Sequence, residues 1–401
     1  MKRDFRVAIV GAGLAGLATA ALLSRTEQGE RLRITVVDAA KRPAPPATDD
    51  YALRVSAIAT GSVTVLERTG AWALLDKKRA CAYERMRVWD ESTAPDDPTT
   101  LSFDAAEFAV AQLGFIVEND RLHAALLEAL AAAGIDWHFG TTVEGIEREA
   151  GACRVALAGG RRLDADLVIG ADGADSVVRT LAGIETRDHP YGQVAIVTHL
   201  EPEQPHRNTA LQRFLADGPL GILPLADGRV SVVWSGSAGK AEAAMQASDA
   251  QLSELLTRAS DHVLGRLGVA GPRGRFTLRA RHARSYVEPG IVLVGDAAHA
   301  VHPLAGQGAN LGLRDAAVLA EVVGEALARG EHPGDRPVLR RYERRQKGRN
   351  ATMLHFMTAL NALFAIDAAP VRALRTTGMR LFNKSGPLRE YMVGVAMGTG
   401  R

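Results

Sequence analysis

Two glycine-rich segments and one acid carry the first chemistry this chain could do. Gly11-Ala12-Gly13-Leu14-Ala15-Gly16 follows the apolar run at residues 7–10. Gly11 permits a tight turn, Gly13 lets a pyrophosphate approach the backbone, and Gly16 lets a helix pack close on the strand. The N-terminus of that helix then offers free N–H groups and a partial positive charge to phosphates. Asp38 closes the next apolar run, residues 34–37, where a carboxylate can accept both hydroxyls of a ribose. In the second segment, residues 166–179, an apolar run delivers Gly170-Ala171-Asp172-Gly173 to a turn. Ser176 starts a short helix there, with Arg179 one turn on. Local capping accounts for Asp172 alone but not for the whole string.

A third segment spans residues 295–310 and reads Gly-Asp-Ala-Ala-His-Ala-Val-His-Pro-Leu-Ala-Gly-Gln-Gly-Ala-Asn. Asp296 follows an apolar run and is placed to accept hydrogen bonds from the ribityl chain of a flavin. Gly306 and Gly308 let backbone pass close against a flat ring. A helix starting near Gly308 aims its positive end at the pyrimidine edge of that ring, which favours an anionic reduced flavin. His299 and His302 have no carboxylate or cysteine cluster in sequence beside them, so packing or capping is expected and a metal is not.

These residues need elements to hold them. Residues 7–10 read as a buried strand, 17–23 as a helix and 34–37 as a second strand, which makes a β-α-β unit of a doubly wound sheet. Further buried strands are expected at 167–169 and 291–294, with helices at 122–133 and 307–328. Residues 42–50, with three prolines and two aspartates, read as a surface loop. Between about 186 and 280 the texture changes to short strands such as 194–198 and 230–234, with a turn at Ala226-Asp227-Gly228. The fold class expected is α/β: a Rossmann-like FAD-binding domain, an inserted β-sheet substrate domain and a C-terminal helical region. The FAD-binding domain takes residues 1–75, 105–185 and 281–335, the substrate sheet 76–104 and 186–280, and the helical region 336–401.

The three segments, in this order, resemble the single-component flavin monooxygenases built like para-hydroxybenzoate hydroxylase. The resemblance spans residues 5 to about 330. It implies FAD, NAD(P)H as a transient reductant without a Rossmann domain of its own, and O2 as co-substrate. Oxygen would reach an electron-rich phenol through a flavin hydroperoxide. The segment Ala52-Leu53-Arg54-Val55-Ser56-Ala57-Ile58 and the run Glu118-Asn119-Asp120-Arg121-Leu122 narrow the resemblance to the hydroxylases of ubiquinone biosynthesis. It further implies cofactor contacts from Arg54, Asn119, Asp172, Pro303, Gln307, Ala309 and Asn310, although the wider family has arginine where Asn119 stands. Leu220, Leu223, Pro224 and Trp234 would line the reacting face of the flavin. The implied substrate is a polyprenylated phenol. Two other readings stay open: a hydroxylase of a soluble phenol, and a flavin-bound structural subunit of a biosynthetic complex. No general base is singled out.

Composition excludes several classes. At 47% hydrophobic and 23% charged residues, the chain reads as globular rather than disordered. A net charge of +2 gives no broad field for nucleic acid. Two distant cysteines, Cys81 and Cys153, fit a reducing cytosol and small core residues. The apolar run at 7–23 is broken by ordered glycines and is short for a bilayer span, so a cytoplasmic protein without a membrane helix is expected. From residue 340 to 401 there are twelve Lys and Arg against three Asp and Glu. Beside that excess lies the apolar stretch 353–366. Peripheral contact with the inner face of the cell membrane, or with other ubiquinone-biosynthesis proteins, is expected there.

Overall fold

The computed structural model describes residues 4–46, 50–149, 151–300, 307–366 and 368–398. Strand β1 (Phe5–Val10) runs through the glycine turn into helix α1 (Leu14–Ser24) and back along β2 (Leu32–Asp38). The two strands are parallel, with Val7 beside Ile34 and Ile9 beside Val36. Their side chains are buried on both faces, because α1 covers one side and other elements the other, so apolar residues need not alternate with polar ones. After β3 (Val55–Ala59) comes helix α2 (Asn119–Ala129), which begins three residues earlier than its apolar pattern. Asn119, Asp120 and Arg121 are polar yet form its first turn, where an acidic side chain suits the helix dipole.

Strand β4 (Leu167–Gly170) lies parallel on the other side of β1, with Ile9 beside Ile169. The second sheet begins at β5 (Thr186–Pro202) and continues through β6 (Thr209–Leu215), β7 (Gly218–Pro224) and β8 (Val230–Ser237). Helices α3 (Ala238–Gln246) and α4 (Asp249–Ala259) follow; Ser248 caps α4 reciprocally with Gln251. Strand β9 (Ile291–Leu293) returns to the first sheet beside β4, ahead of helix α5 (Gln307–Ala328). The chain ends in α6 (Arg336–Ala365), α7 (Ala369–Asn383) and α8 (Gly386–Met397).

The larger sheet crosses the expected domain limits. Arg85–Asp90 and Leu101–Asp104 extend it beyond β6, as expected for the 76–104 stretch, but Cys81–Tyr83 pairs instead with Gly114–Glu118 beside β3. Gly274–Ala283 pairs with β5 on one side and with His299–Ala300 on the other, so the third motif itself contributes an edge to this sheet. Strand alternation gives the sheet two faces. Trp89, Ile196, Leu211, Leu220, Val232 and Trp234 point toward Ala241, Ala244, Leu252 and Leu256 of α3 and α4. Phe214, Leu223 and His199 point the other way.

The stretch 353–366 is the C-terminal half of α6 and is neither wholly buried nor wholly free. Leu354, Met357 and Phe364 are buried, whereas Phe356, Leu363 and Ile366 are exposed. The Phe364 ring stacks on Phe214 with centroids 3.9 Å apart. Helix α7 is held by Arg375, whose Nη1 donates to the carbonyls of Leu363 and Phe364 at the end of α6. Its Nε lies 3.0 Å from Asp90 Oδ2, both groups being buried, at an angle that makes this an ion pair rather than a hydrogen bond. Removing the cation leaves Asp90 buried with only Ser92 to solvate it. Arg375→Met is therefore expected to loosen α7 and α8 while the rest stays folded. Hydrogen exchange should show residues 369–398 losing protection selectively; unchanged protection there would show that apolar packing alone holds the two helices.

Candidate functional site

The three glycine-bearing turns meet at the C-terminal ends of β1, β4 and β9, where open parallel sheets bind their ligands. Gly11 has φ +104, and a Cβ there would stand 2.3 Å from the Ala171 carbonyl oxygen and 2.8 Å from Asp172 Cα. Only glycine fits, because two backbones touch. A Cβ at Gly295 would lie 3.0 Å from Ala15 Cβ, so the third turn rests on the first helix. Gly16 is buried at the same crossing, and Leu14 and Ala15 are half-buried beside it. Gly13 is different: it is exposed, with nothing within 4 Å of where a Cβ would stand, and it precedes a helix that has no side-chain cap. That uncapped, unobstructed helix N-terminus fits a pyrophosphate.

Asp38 accepts from the Ala12 N–H at 2.6 Å and from the Ala40 N–H at 2.7 Å. Both carboxylate oxygens thus bind the loops around them, which fixes where the acid stands at the end of β2. The sequence reading missed His123 of α2, whose ring nitrogen lies 2.6 Å from the Ala12 carbonyl. Asp172 caps the turn that follows it, taking Ser176 Oγ at 2.5 Å and Val178 N at 3.0 Å. Arg179, buried, donates to the carbonyls of Ala297 and Ala174 and so locks the second turn to the third.

Asp296 is accessible to solvent yet closely surrounded by protein at the join of these turns, and no described residue donates a hydrogen bond to its carboxylate. Surrounding protein pushes its pKa above the ordinary carboxylate range, while the charges of His299 and Arg54 pull the other way. An acid held here without a partner fits the polyol of a flavin side chain. Arg54 is exposed on the strip leading into β3, with its guanidinium 5.4 Å from the Phe276 ring centroid. That strip is pinned by buried Glu118, which accepts from the Ala52 N–H, from Arg79 and from Arg121. Asn119 donates its backbone N–H to the Arg54 carbonyl and accepts from Ser56 Oγ at 2.7 Å, so it supports the strip from below.

Helix α5 begins at Gln307, with Gly308 and Ala309 half-buried in its first turn and no atom within 4 Å of a Cβ at Gly308. The Asn310 side chain bridges to β3, accepting from Ala59 N and donating to the Ala57 carbonyl. Its amide seats the helix against β3. Pro303 and Gly306 lie outside the described residues, as does the side chain of Gln307. The substrate-side expectations divide. Leu220 and Trp234 are paired neighbours on the face that packs on α3 and α4, and Lys240 covers the Trp234 ring, so they belong to the core. Pro224 is buried on the same strand register as Leu220, while Leu223 faces Tyr51 and Ile116 on the cofactor side. The expectation failed for Leu220 and Trp234 because adjacent apolar residues of a strand point to opposite faces.

Beneath Asp296 lies a buried polar cluster that no motif announced. Asp315 of α5 is fully buried and accepts from the Gly295 N–H at 3.0 Å, from Asn350 Nδ2 at 3.1 Å and from His299 Nε2 at 2.5 Å. Burial opposes a charge on His299, but the Asp315 carboxylate outweighs it and holds the ring's pKa above its ordinary value. The nearby His282 ring nitrogen lies 2.9 Å from the Tyr286 hydroxyl. Burial, aided by His299, depresses His282 to about 4.

Residues 4–356 match the family described as FAD binding domain. Over 396 residues the chain is 36% identical to the 3-demethoxyubiquinol 3-hydroxylase of Escherichia coli (strain K12), covering 98% of each. The chain belongs to the FAD-dependent hydroxylases of that family. The hydroxylase is also 37% identical to the ubiquinone hydroxylase UbiL of Rhodospirillum rubrum, over 98% of this chain and 89% of that protein. Its fold is that of PqsL, a probable FAD-dependent monooxygenase from Pseudomonas aeruginosa, with TM-score 0.76 at 22% identity over 94% of this chain and 99% of the other. Klebsiella pneumoniae HpxO, solved with FAD and uric acid, gives TM-score 0.75 at 17% identity over 100% and 98% of the two chains.

Two outcomes follow from this geometry. Asp296→Ala removes the unpartnered acceptor and is expected to weaken FAD retention about tenfold to a hundredfold, since one such bond contributes about 1–3 kcal/mol; flavin fluorescence on dilution measures it, and wild-type affinity would dismiss the acid. For His282, a folded pKa below the unfolded value means that its contribution is complete above pH 6.5 and is lost as pH falls toward about 4. Urea unfolding at about pH 7 and about pH 4.5 should show a larger loss in wild type than in His282→Gln.

Proposed function

We propose that this hydroxylase adds oxygen to the aromatic ring of a polyprenylated phenol in ubiquinone biosynthesis, using FAD, with NAD(P)H as reductant and O2 as co-substrate. The observation that carries the reading is the convergence of the three turns around an unpartnered Asp296, next to the uncapped start of α1. The full-length likeness to 3-demethoxyubiquinol 3-hydroxylase and to UbiL supports the substrate class. When bound, FAD supplies the redox chemistry that activates O2.

The chain's own part is binding, orientation and exclusion of water. Gly11, Gly13 and the amides of Leu14 and Ala15 would hold the pyrophosphate, Asp38 the ribose and Asp296 the ribityl chain. The start of α5, at Gly308 and Ala309, would offer its positive end to the pyrimidine edge of the ring. Arg54 lies at the border between cofactor and substrate, fixed by Glu118 and Asn119. Leu223 and its neighbours on the sheet face opposite α3 and α4 form the apolar wall for the phenol. Such a wall keeps water from the reacting ring, where it would divert reducing equivalents into peroxide. Among the described residues no helix is long and apolar enough to cross a membrane. The protein acts in the cytoplasm and meets its lipid-like substrate at a membrane surface or on partner proteins, through its basic C-terminal region.

The test is NAD(P)H oxidation by FAD-loaded protein with and without a short-chain prenylphenol, with the hydroxylated product identified by mass spectrometry. Substrate-independent oxidation without product would sink the reading. Arg54→Ala is expected to raise the peroxide released per NAD(P)H by severalfold while FAD stays bound; wild-type coupling would return Arg54 to the ordinary surface charges.

A further inference from the structure

The described residues expose eleven large apolar side chains, and seven of them lie between Phe356 and Tyr391. They fall on the outward faces of the three terminal helices. Leu363 and Ile366 close α6, Leu374 and Leu381 stand two turns apart on α7, and Leu388 and Tyr391 share a face of α8. Leu374 is 67% exposed and Leu381 64%, which is unusual for leucine on a helix whose inner side is already anchored. That inner side has its own partners: Arg375 meets Asp90, Met379 joins Phe214 and Phe364, and on α8 Arg389 meets Glu107. The outward side of α7 carries Ala373, Thr377 and Gly378 between its leucines and no acid.

Charge says what this face suits. Residues 369–398 contain five basic side chains and one acid, Glu390. Arg375 and Arg389 are used inward, whereas Arg380 and Lys384 are exposed at the margin of the leucine face; among the described residues neither forms an ion pair with an acid, although the charge of Arg380 reaches Asp97. Leucines flanked by cations are the chemistry of a helix lying in the headgroup region of an anionic bilayer. The same helices reach the substrate side of the fold. Helix α6 stacks Phe364 on Phe214 of β6, and its Thr358 and Asn361 bond to Tyr191 and Gln193 of β5.

We propose that the outward faces of α7 and α8, with the end of α6, dock on an anionic lipid surface, Leu374, Leu381, Leu388 and Tyr391 entering the acyl boundary while Arg380 and Lys384 meet headgroup phosphates. This deepens the membrane contact given above and rests on that reading for its purpose, not for its test. Docking there sets the sheet face that carries Phe214 and Leu223 near the bilayer, where a prenylated ring can leave it without crossing water.

The experiment is flotation of the full-length FAD-loaded protein with vesicles of phosphatidylglycerol and phosphatidylcholine, and with phosphatidylcholine alone. Wild type is expected to float with the anionic vesicles and at least tenfold less with the neutral ones. Leu374→Asp with Leu381→Asp should lose flotation at least tenfold, and Arg380→Ala with Lys384→Ala should lose it on anionic vesicles, both with bound FAD unchanged. Flotation of the leucine variant at the wild-type level overturns the proposal, as does a wild type that ignores both vesicles. Overturned in the same way, a wild type that forms dimers which the leucine variant dissolves, without floating, would assign the face to a second copy of the chain. Because no turnover is read, a protein that floats as expected but hydroxylates no prenylphenol would fault the substrate reading alone.

Discussion

A carboxylate with no access to water must be answered from within, and the answer given to Asp315 ties this molecule together. Its partners are Gly295 of the third turn, His299 at the sheet edge and Asn350 of α6. An isolated buried charge would cost several kcal/mol, so each donor is held wherever the acid is held. The turn that carries Asp296, the helix that starts beside it and the first half of the C-terminal region are therefore tied to one another through Asp315. Tyr342, fully buried one helical face along from Asn350, adds a bond to the Leu293 carbonyl at the end of β9. The exposed acid of the site thus stands on a base of satisfied polar groups.

The same base shapes the site's electrostatics. His299, held above its ordinary pKa by Asp315, is one of the two groups that draw Asp296 toward ionisation, and Arg54 is the other. Crowding by protein pushes the opposite way. Glu118, at the end of the strand paired with β3, holds the Ala52 amide and with it the path of the strip that carries Arg54.

The larger sheet divides its labour between its faces. One is closed by α3 and α4 over a core that includes Trp89, Leu220 and Trp234. The other is shared by the cofactor-side elements, through His199 and Leu223, and by α6, through Phe214. The C-terminal helices thus cover the core and also pack on the sheet face that the cofactor-side elements share.

Much of this was legible in the chain itself. The β-α-β unit, the buried strands at β4 and β9 and the span of α5 follow from apolar runs broken by glycine, because strand and helix period are local properties. The need for glycine at 11 and 16 and the places of the acids at 38 and 296, at or just past the ends of their strands, were legible for the same reason: each follows from local backbone geometry. The contacts that Asp172 and Asn310 make within the protein were not, since only the fold shows which amides lie in reach of a short polar side chain. Nor were the sides taken by Leu220 and Leu223, the grip of Glu118 on the arginine strip or the cluster around Asp315. Those depend on which face of a strand meets which helix and on residues from 16 to over 60 positions apart meeting in space, and long-range packing alone decides that.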